Sequence, residues 1–204
     1  MRPKLMMLDY GVGNLHSLAK GLVAAGGNVE VVTDPVEALQ GTAMVLPGVG
    51  AFEPAAEVIA RERWVLQRAI ADGYPVLGIC LGMQLLFDES DEGPGFGIGA
   101  IPGRVTRLNA HSVPQIGWNQ VEGPAEPLVC ESGLESAYYA NSYACRPVDE
   151  SVVTAWTTHE GDRFPAVVRF RRVVGAQFHP EKSSAAGLAF LRTWVESLPG
   201  GRDG

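Results

Sequence analysis

Four short apolar runs, each cut off by a turn, organise the first eighty residues. Leu5-Met6-Met7-Leu8 stops at Asp9-Tyr10-Gly11-Val12-Gly13-Asn14, and Val29, Val31 and Val32 stop at Asp34-Pro35. Met44-Val45-Leu46 stops at Pro47-Gly48-Val49-Gly50, and Tyr74-Pro75-Val76-Leu77 runs into Gly78-Ile79-Cys80-Leu81-Gly82. Runs this short and this continuous suit strands buried on both faces. Between them, Leu15, Leu18, Leu22 and Val23 keep helical spacing until Gly26-Gly27 stops them, Asp34-Pro35 opens a short helical turn, and positions 53–72 form a helical pattern broken near Arg63. This alternation predicts a parallel, doubly wound α/β sheet with flanking helices. Ligands of such sheets sit at the carboxyl ends of the strands, where Cys80 and Pro47–Gly50 both fall.

The second half differs. After the turn-rich Gly93-Pro94-Gly95-Phe96-Gly97, short strands are expected at 104–108, 118–121, 136–140, 152–156, 166–170 and 173–178, antiparallel in part. A last helix is expected over 185–198, with Leu188, Leu191, Val195 and Leu198 on one face, and 199–204 as a frayed tail. No linker or internal repeat divides the chain, and 204 residues make one domain with ample core.

Charge and cysteine usage narrow the function classes. A net charge of −7 without a basic run argues against a nucleic-acid surface. No apolar run approaches a membrane span, and the first residues are interrupted by Asp9 too soon for a signal peptide. Cys80, Cys130 and Cys145 form no C-x-x-C pair, so neither a disulfide framework nor a zinc site is expected and a reducing cytoplasm fits.

The chemistry centres on Cys80. A cysteine between Gly78 and Gly82 at a strand-to-helix turn is the thiol form of a nucleophile elbow, where small neighbours permit the sharp turn. Met83, Leu85, Leu86 and Phe87 are expected to continue as a helix whose N-terminal N–H groups favour the thiolate. A buried cysteine at a strand end is often inert, so a base must be found. His16, His111 and His159 are assigned as solvated or packing residues. His179, in Gln177-Phe178-His179-Pro180-Glu181, is delivered by a buried strand. In extended backbone Glu181 shares its face and can orient the ring. The backbone N–H of Leu81 is the natural oxyanion donor, with a second from Gly48–Val49. Trp118 and Trp194 are expected in the core.

Taken with Gly78–Gln84, Gln177–Glu181 and Pro47–Gly50, the segments Asp9–Leu15, Ile116-Gly117-Trp118-Asn119, Asn141-Ser142-Tyr143 and Lys182-Ser183 span nearly the whole chain. In these the sequence resembles the class I (triad) glutamine amidotransferases and, within them, the glutaminase subunits of imidazole glycerol phosphate synthase. The resemblance implies a single flavodoxin-like amidotransferase domain over 1–198, with a mostly parallel central sheet. It implies a Cys80–His179–Glu181 triad hydrolysing L-glutamine, with no cofactor or metal. Gln84, Ser142 and Tyr143 would hold glutamine, the last two through backbone groups. Ammonia would pass to a (β/α)8-barrel synthase subunit of the HisF type, in a heterodimer. Asn14, at the end of the first strand, and Lys182, beside Glu181, are candidates for its docking surface, against the plainer reading that Asn14 caps the first helix and Lys182 is solvated. A glycine-rich oxyanion strand turns a peptide at low cost, so the glutaminase is expected to be nearly silent until its partner switches it on. Two positions depart from the family pattern: Gln115 replaces the histidine of P-H-x-G-W-N, and Asn141 the histidine of H-S-Y. The rival readings are a glutaminase serving pyridoxal phosphate synthesis, a non-catalytic module of the same fold, and a cysteine hydrolase of similar architecture.

Overall fold

A computed structural model describes residues 2–11, 13 and 15–201. Asn14 and positions 202–204 of the expected tail lie outside the described residues. The first half alternates as expected: β1 (Lys4–Leu8), α1 (His16–Ala24), β2 (Asn28–Val32), a 3-10 turn (Glu37–Gln40), β3 (Ala43–Leu46), α2 (Phe52–Ala60), α3 (Arg63–Ala71), β4 (Val76–Ile79) and α4 (Leu81–Gln84). The break near Arg63 falls between α2 and α3. The second half comprises β5 (Glu89–Ser90), β6 (Gly103–Arg107), β7 (Gln115–Gln120), α5 (Pro127–Ser132), β8 (Ser136–Asn141), β9 (Tyr143–Pro147), β10 (Val153–His159), β11 (Asp162–Phe170), β12 (Val173–Ala176) and α6 (Ser184–Glu196).

Seven strands form the central sheet in the order β10-β11-β12-β4-β3-β1-β2. From β12 to β2 every pairing is parallel, and β10 and β11 extend the sheet antiparallel. The order 2-1-3-4, continued by β12, is the flavodoxin-like order. Two small sheets, β5-β6-β9 and β7-β8, are laid against it.

The apolar runs look continuous because each strand feeds two cores. Leu5, Met7, Val45, Leu77 and Ile79 face one side, packed against Leu18 and Leu22 of α1 and Phe190, Leu191 and Trp194 of α6. Met6, Leu8, Met44, Leu46 and Val76 face the other, packed against α2, α3 and Val105 and Cys145 of the β5-β6-β9 sheet. Alternation is present, but both faces are apolar.

Three expectations are corrected. The helix after Cys80 is a single turn, because the backbone of residues 98–101 caps it: Ile98, Gly99 and Ile101 donate N–H bonds to the carbonyls of Leu85, Phe87 and Leu86. Trp118 is 53% exposed rather than core, since β7 pairs only with β8 and its outer face is uncovered. Strand β9 and helix α5 were not expected.

Candidate active site

Cys80 follows the last residue of β4 at φ 48° and ψ −105°, a conformation costly for any residue with a side chain. Several contacts hold it there. Its N–H donates to the Ala176 carbonyl at 2.7 Å, and its carbonyl accepts from Gln84 at 3.1 Å. The flanking glycines are required by space: a Cβ on Gly78 would lie 2.5 Å from the Gly82 carbonyl oxygen, and one on Gly82 would lie 1.9 Å from that of Leu46. Close approach of three backbone segments therefore explains G-x-C-x-G at this turn.

His179 is placed by β12 on one side and by β8 on the other. Its N–H donates to the Tyr138 carbonyl at 2.8 Å, and its carbonyl accepts from the Ser183 hydroxyl at 2.7 Å. The same hydroxyl oxygen accepts the Tyr138 N–H at 2.9 Å, so Ser183, buried at the start of α6, ties β8 to the His179–Glu181 segment. Glu181 reaches His179 as expected, with Oε1 2.8 Å from Nδ1. The backbone carrying it is a 3-10 turn (Pro180–Lys182) rather than extended chain, and Pro180 starts that turn. With Nδ1 engaged, Nε2 is the nitrogen left to interact with Cys80. Burial works against the charged ring, but hydrogen bonds to Cys80 and Glu181 and the charges of both outweigh it, lifting His179 from 6.5 to about 10. A protonated ring, held between Cys80 and Glu181, is thus the favoured form of His179.

A cavity of about 180 Å³ opens onto the sulfur, lined by Gly48, Gly50, Cys80, Leu81, Gln84, Glu92, Ala140, Asn141, Ser142 and Tyr143. A larger cavity of about 480 Å³ lies at the amino ends of the strands, around Arg2 and Ala25, and contains no nucleophile. Of the residues singled out in the sequence, the structure brings Gly48, Cys80, Leu81, Gln84, Ser142 and Tyr143 to one cavity. Val49 is not among the residues lining it and packs against Gly13, where a Cβ would lie 2.4 Å from the Val49 Cβ. Gly48 packs so closely that a Cβ would lie 2.9 Å from the Cys80 Cβ and 3.0 Å from the His179 Cε1. The Leu81 N–H, at the first position of α4, has no acceptor within its own helix and is available to an oxyanion. Gln84 contributes by holding the cavity wall: its Nε2 donates to the Tyr143 carbonyl at 3.1 Å, where Asn141 Nδ2 also donates at 3.0 Å. Lys182 is exposed, with Nζ 5.7 Å from the centre of the Tyr138 ring.

The sequence did not point to Glu92. It lies in the acidic stretch Asp88–Glu92, which suggests a solvated loop, yet it lines the cavity half-buried, its Oε2 accepting the Phe52 N–H at 3.1 Å. Burial raises its carboxyl above the ordinary value and that N–H lowers it in part. A carboxylate here can receive the ammonium group of an amino acid whose side chain reaches Cys80. The two departures from the family pattern are also revealing, since Gln115 and Asn141 face each other directly across β7 and β8. Both are buried, and the side-chain oxygen of each lacks a partner.

Among the described residues no group of three or more His, Cys, Asp and Glu is placed to hold a metal, and no helix is long and apolar enough to cross a membrane. The family model described as glutamine amidotransferase class-I matches residues 6–196. The imidazole glycerol phosphate synthase subunit HisH of Synechocystis sp. is 42% identical over 203 residues, covering 95% of this chain and 96% of that protein. The corresponding subunit of Cyanophora paradoxa is 34% identical over 201 residues, covering 95% and 94%. Among solved structures, PurLQS from Thermotoga maritima superposes with a TM-score of 0.74 at 18% identity, covering 96% of this chain and 99% of that one. A putative GMP synthase component from Thermoplasma acidophilum gives 0.69 at 19%, covering 96% and 93%. At such low identity these two speak for the fold alone, which agrees with the sheet order above. The chain belongs to the class-I glutamine amidotransferase family, within its group of HisH subunits of imidazole glycerol phosphate synthase.

Proposed function

We propose that the chain hydrolyses L-glutamine through Cys80, His179 and Glu181 and passes the ammonia to a (β/α)8-barrel synthase subunit of the HisF type. That partner would use it to form imidazole glycerol phosphate and an aminoimidazole carboxamide ribonucleotide in histidine biosynthesis. The observation supporting this reading is that Glu181, His179 and Cys80 adjoin in turn and that Cys80 lines a cavity also lined by the carboxyl of Glu92. Glutamine enters with its α-ammonium toward Glu92 and its side-chain amide at the sulfur.

The Cys80 thiolate attacks the amide carbon, forming a C–S bond and an oxyanion that takes N–H groups of Leu81 and the Gly48–Val49 segment. The proton on His179 Nε2 goes to the leaving nitrogen, the C–N bond breaks and ammonia departs. Water then attacks the thioester carbon and gives its proton to His179. The C–S bond breaks, releasing glutamate and restoring thiolate and imidazolium. Glu181 holds the ring in one orientation throughout. Ammonia must reach the partner without entering solvent, where protonation to ammonium removes its nucleophilicity. Lys182 and Asn14 are assigned to the docking face of the heterodimer.

The test uses the complex with the barrel subunit. Cys80→Ser abolishes glutamine hydrolysis, while the partner still forms product from added ammonia. An electrophilic glutamine analogue labels Cys80 in preference to Cys130 and Cys145. Glutamine turnover persisting in Cys80→Ser overturns the nucleophile assignment.

A further inference from the structure

Gln177 stands two residues before His179 and is fully buried, outside the cavity. Phe178, between them, turns into the core against Tyr139 and Phe190. Gln177 and His179 therefore turn to the same side, toward Cys80. The Gln177 Nε2 lies 3.6 Å from the Cys80 Sγ, and its Oε1 lies 3.4 Å from the Gln84 Nε2.

The polarity of this pair is determined link by link. Only an N–H can face the Tyr143 carbonyl, so Gln84 presents Nε2 there, and the same nitrogen donates to Gln177. Gln177 must answer with its oxygen, which leaves its N–H groups for the sulfur. The reverse orientation would set two NH2 groups against each other and an amide oxygen against the sulfur lone pairs, in a site closed to water.

We propose that Gln177 is a further catalytic residue, an uncharged N–H donor held against the Cys80 sulfur, with Gln84 as the positioning residue that sets its polarity. The proposal rests on Cys80 being the nucleophile. During the reaction His179 must give up its proton to the leaving nitrogen, and its support of the sulfur changes at that moment. An amide does not titrate in this range, so the Gln177 donor persists through attack, thioester and release. It favours charge on the sulfur and keeps Sγ aimed at the cavity.

The test needs no glutamine and so separates this proposal from the reading of the whole enzyme. The rate of alkylation of Cys80 by iodoacetamide is followed by peptide mass spectrometry between about pH 5 and 10 in the full chain. Gln177→Met keeps the length of the side chain and removes the donor. Its profile is expected to move upward by about one pH unit, so that alkylation on the rising limb of the profile is about tenfold slower and recovers at higher pH. Gln177→Glu moves it further in the same direction, since a carboxylate repels charge on the sulfur. Gln84→Met leaves Gln177 in place but lets its amide turn, giving a smaller upward step, and serves where the first variants do not fold. Melting temperature reports any general loosening, which slows or speeds alkylation without moving its pH dependence. An unmoved profile in whichever variant folds overturns the proposal. A moved profile in a chain whose wild-type complex releases no ammonia from glutamine leaves it standing and defeats the glutaminase reading instead.

Discussion

Gly82 and Leu46 touch backbone to backbone: a Cβ on Gly82 would come within 1.9 Å of the Leu46 carbonyl oxygen. The first turn of α4 is thereby seated on the end of β3, and Pro47–Gly50, which continues β3, is held at a set distance from Cys80. Neither segment can be placed without the other.

Gly82→Ala is therefore expected to act on stability and chemistry together. Because the obstructing atoms are backbone, relief requires α4 or β3 to move, at a cost of about 3 kcal/mol. Denaturant unfolding should show that loss. Partner-stimulated glutamine hydrolysis in the surviving folded fraction should fall by about 10²-fold or more, as for a misplaced oxyanion donor. A variant with wild-type stability would show that the contact relaxes elsewhere.

The strain at Cys80 gives a second expectation, with an unusual sign. Glycine ordinarily destabilises relative to alanine by about 0.5–1 kcal/mol. At φ 48° and ψ −105° alanine keeps the backbone penalty that glycine escapes. Cys80→Gly is expected to be more stable than Cys80→Ala by about 1 kcal/mol in denaturant unfolding, both being devoid of glutaminase activity. The opposite order would mean that the elbow relaxes once the thiol is gone.

His179 and Glu181 should differ in severity. His179→Ala removes the group proposed both to give and to take the proton, and near-complete inactivity is expected. Glu181→Gln keeps a neutral acceptor for Nδ1–H but removes the charge, leaving measurable activity. The sign of the ring titration follows from its causes. Burial lowers it, while bonds to Cys80 and Glu181 and their charges raise it to about 10. Removing one of the raising partners must lower it, so imidazole NMR of Cys80→Ala and of Glu181→Gln should each show the ring titrating at lower pH than in the wild type. A ring that titrates unchanged in Cys80→Ala would mean that the thiol and the imidazole are not paired.

Much of this site was legible because its residues are constrained locally. Gly78, Cys80 and Gly82 must be neighbours in sequence to make the elbow, and His179 and Glu181 are linked by one proline. Leu5–Leu8 and Met44–Leu46 announced buried strands because both their faces meet helices or the small sheet. What was missed depends on distant chain. Tyr143–Pro147 carries Arg146 and ends in proline, and becomes a strand because Gly103–Arg107 pairs with it. Glu92 belongs to an acidic loop until α2 offers it the Phe52 N–H. Trp118 was expected inside on size and apolarity alone, whereas its place on an uncovered two-stranded ribbon decides the matter. Gln177 has no local signature, since its meaning comes from Gln84, ninety-three positions earlier.

The exposed Trp118 leads to the last expectation. Ile116 and Trp118 share one face of β7 and are 68% and 53% exposed. Trp118 meets Tyr138 edge-on with ring centres 6.5 Å apart, and Lys182 lies over the same tyrosine. The outer face is thus an apolar and cationic patch, while the inner backbone of Tyr138 holds His179 and Ser183 by hydrogen bonds. A protein seated on Trp118 and Lys182 would press on His179 through a single residue, as activation of the proposed glutaminase by the proposed partner requires. Trp118→Ala and Lys182→Ala are therefore expected to weaken binding of the barrel subunit, Trp118→Ala by about 10- to 100-fold, and to lower the stimulated rate of glutamine hydrolysis. Trp64, 76% exposed on α3 beside Phe96, is the control, and Trp64→Ala should leave both affinity and stimulated rate as they are. Titration calorimetry with the barrel subunit, followed by glutaminase assays at saturating partner, distinguishes the two faces. Equal behaviour of Trp118→Ala and Trp64→Ala would place the docking surface elsewhere.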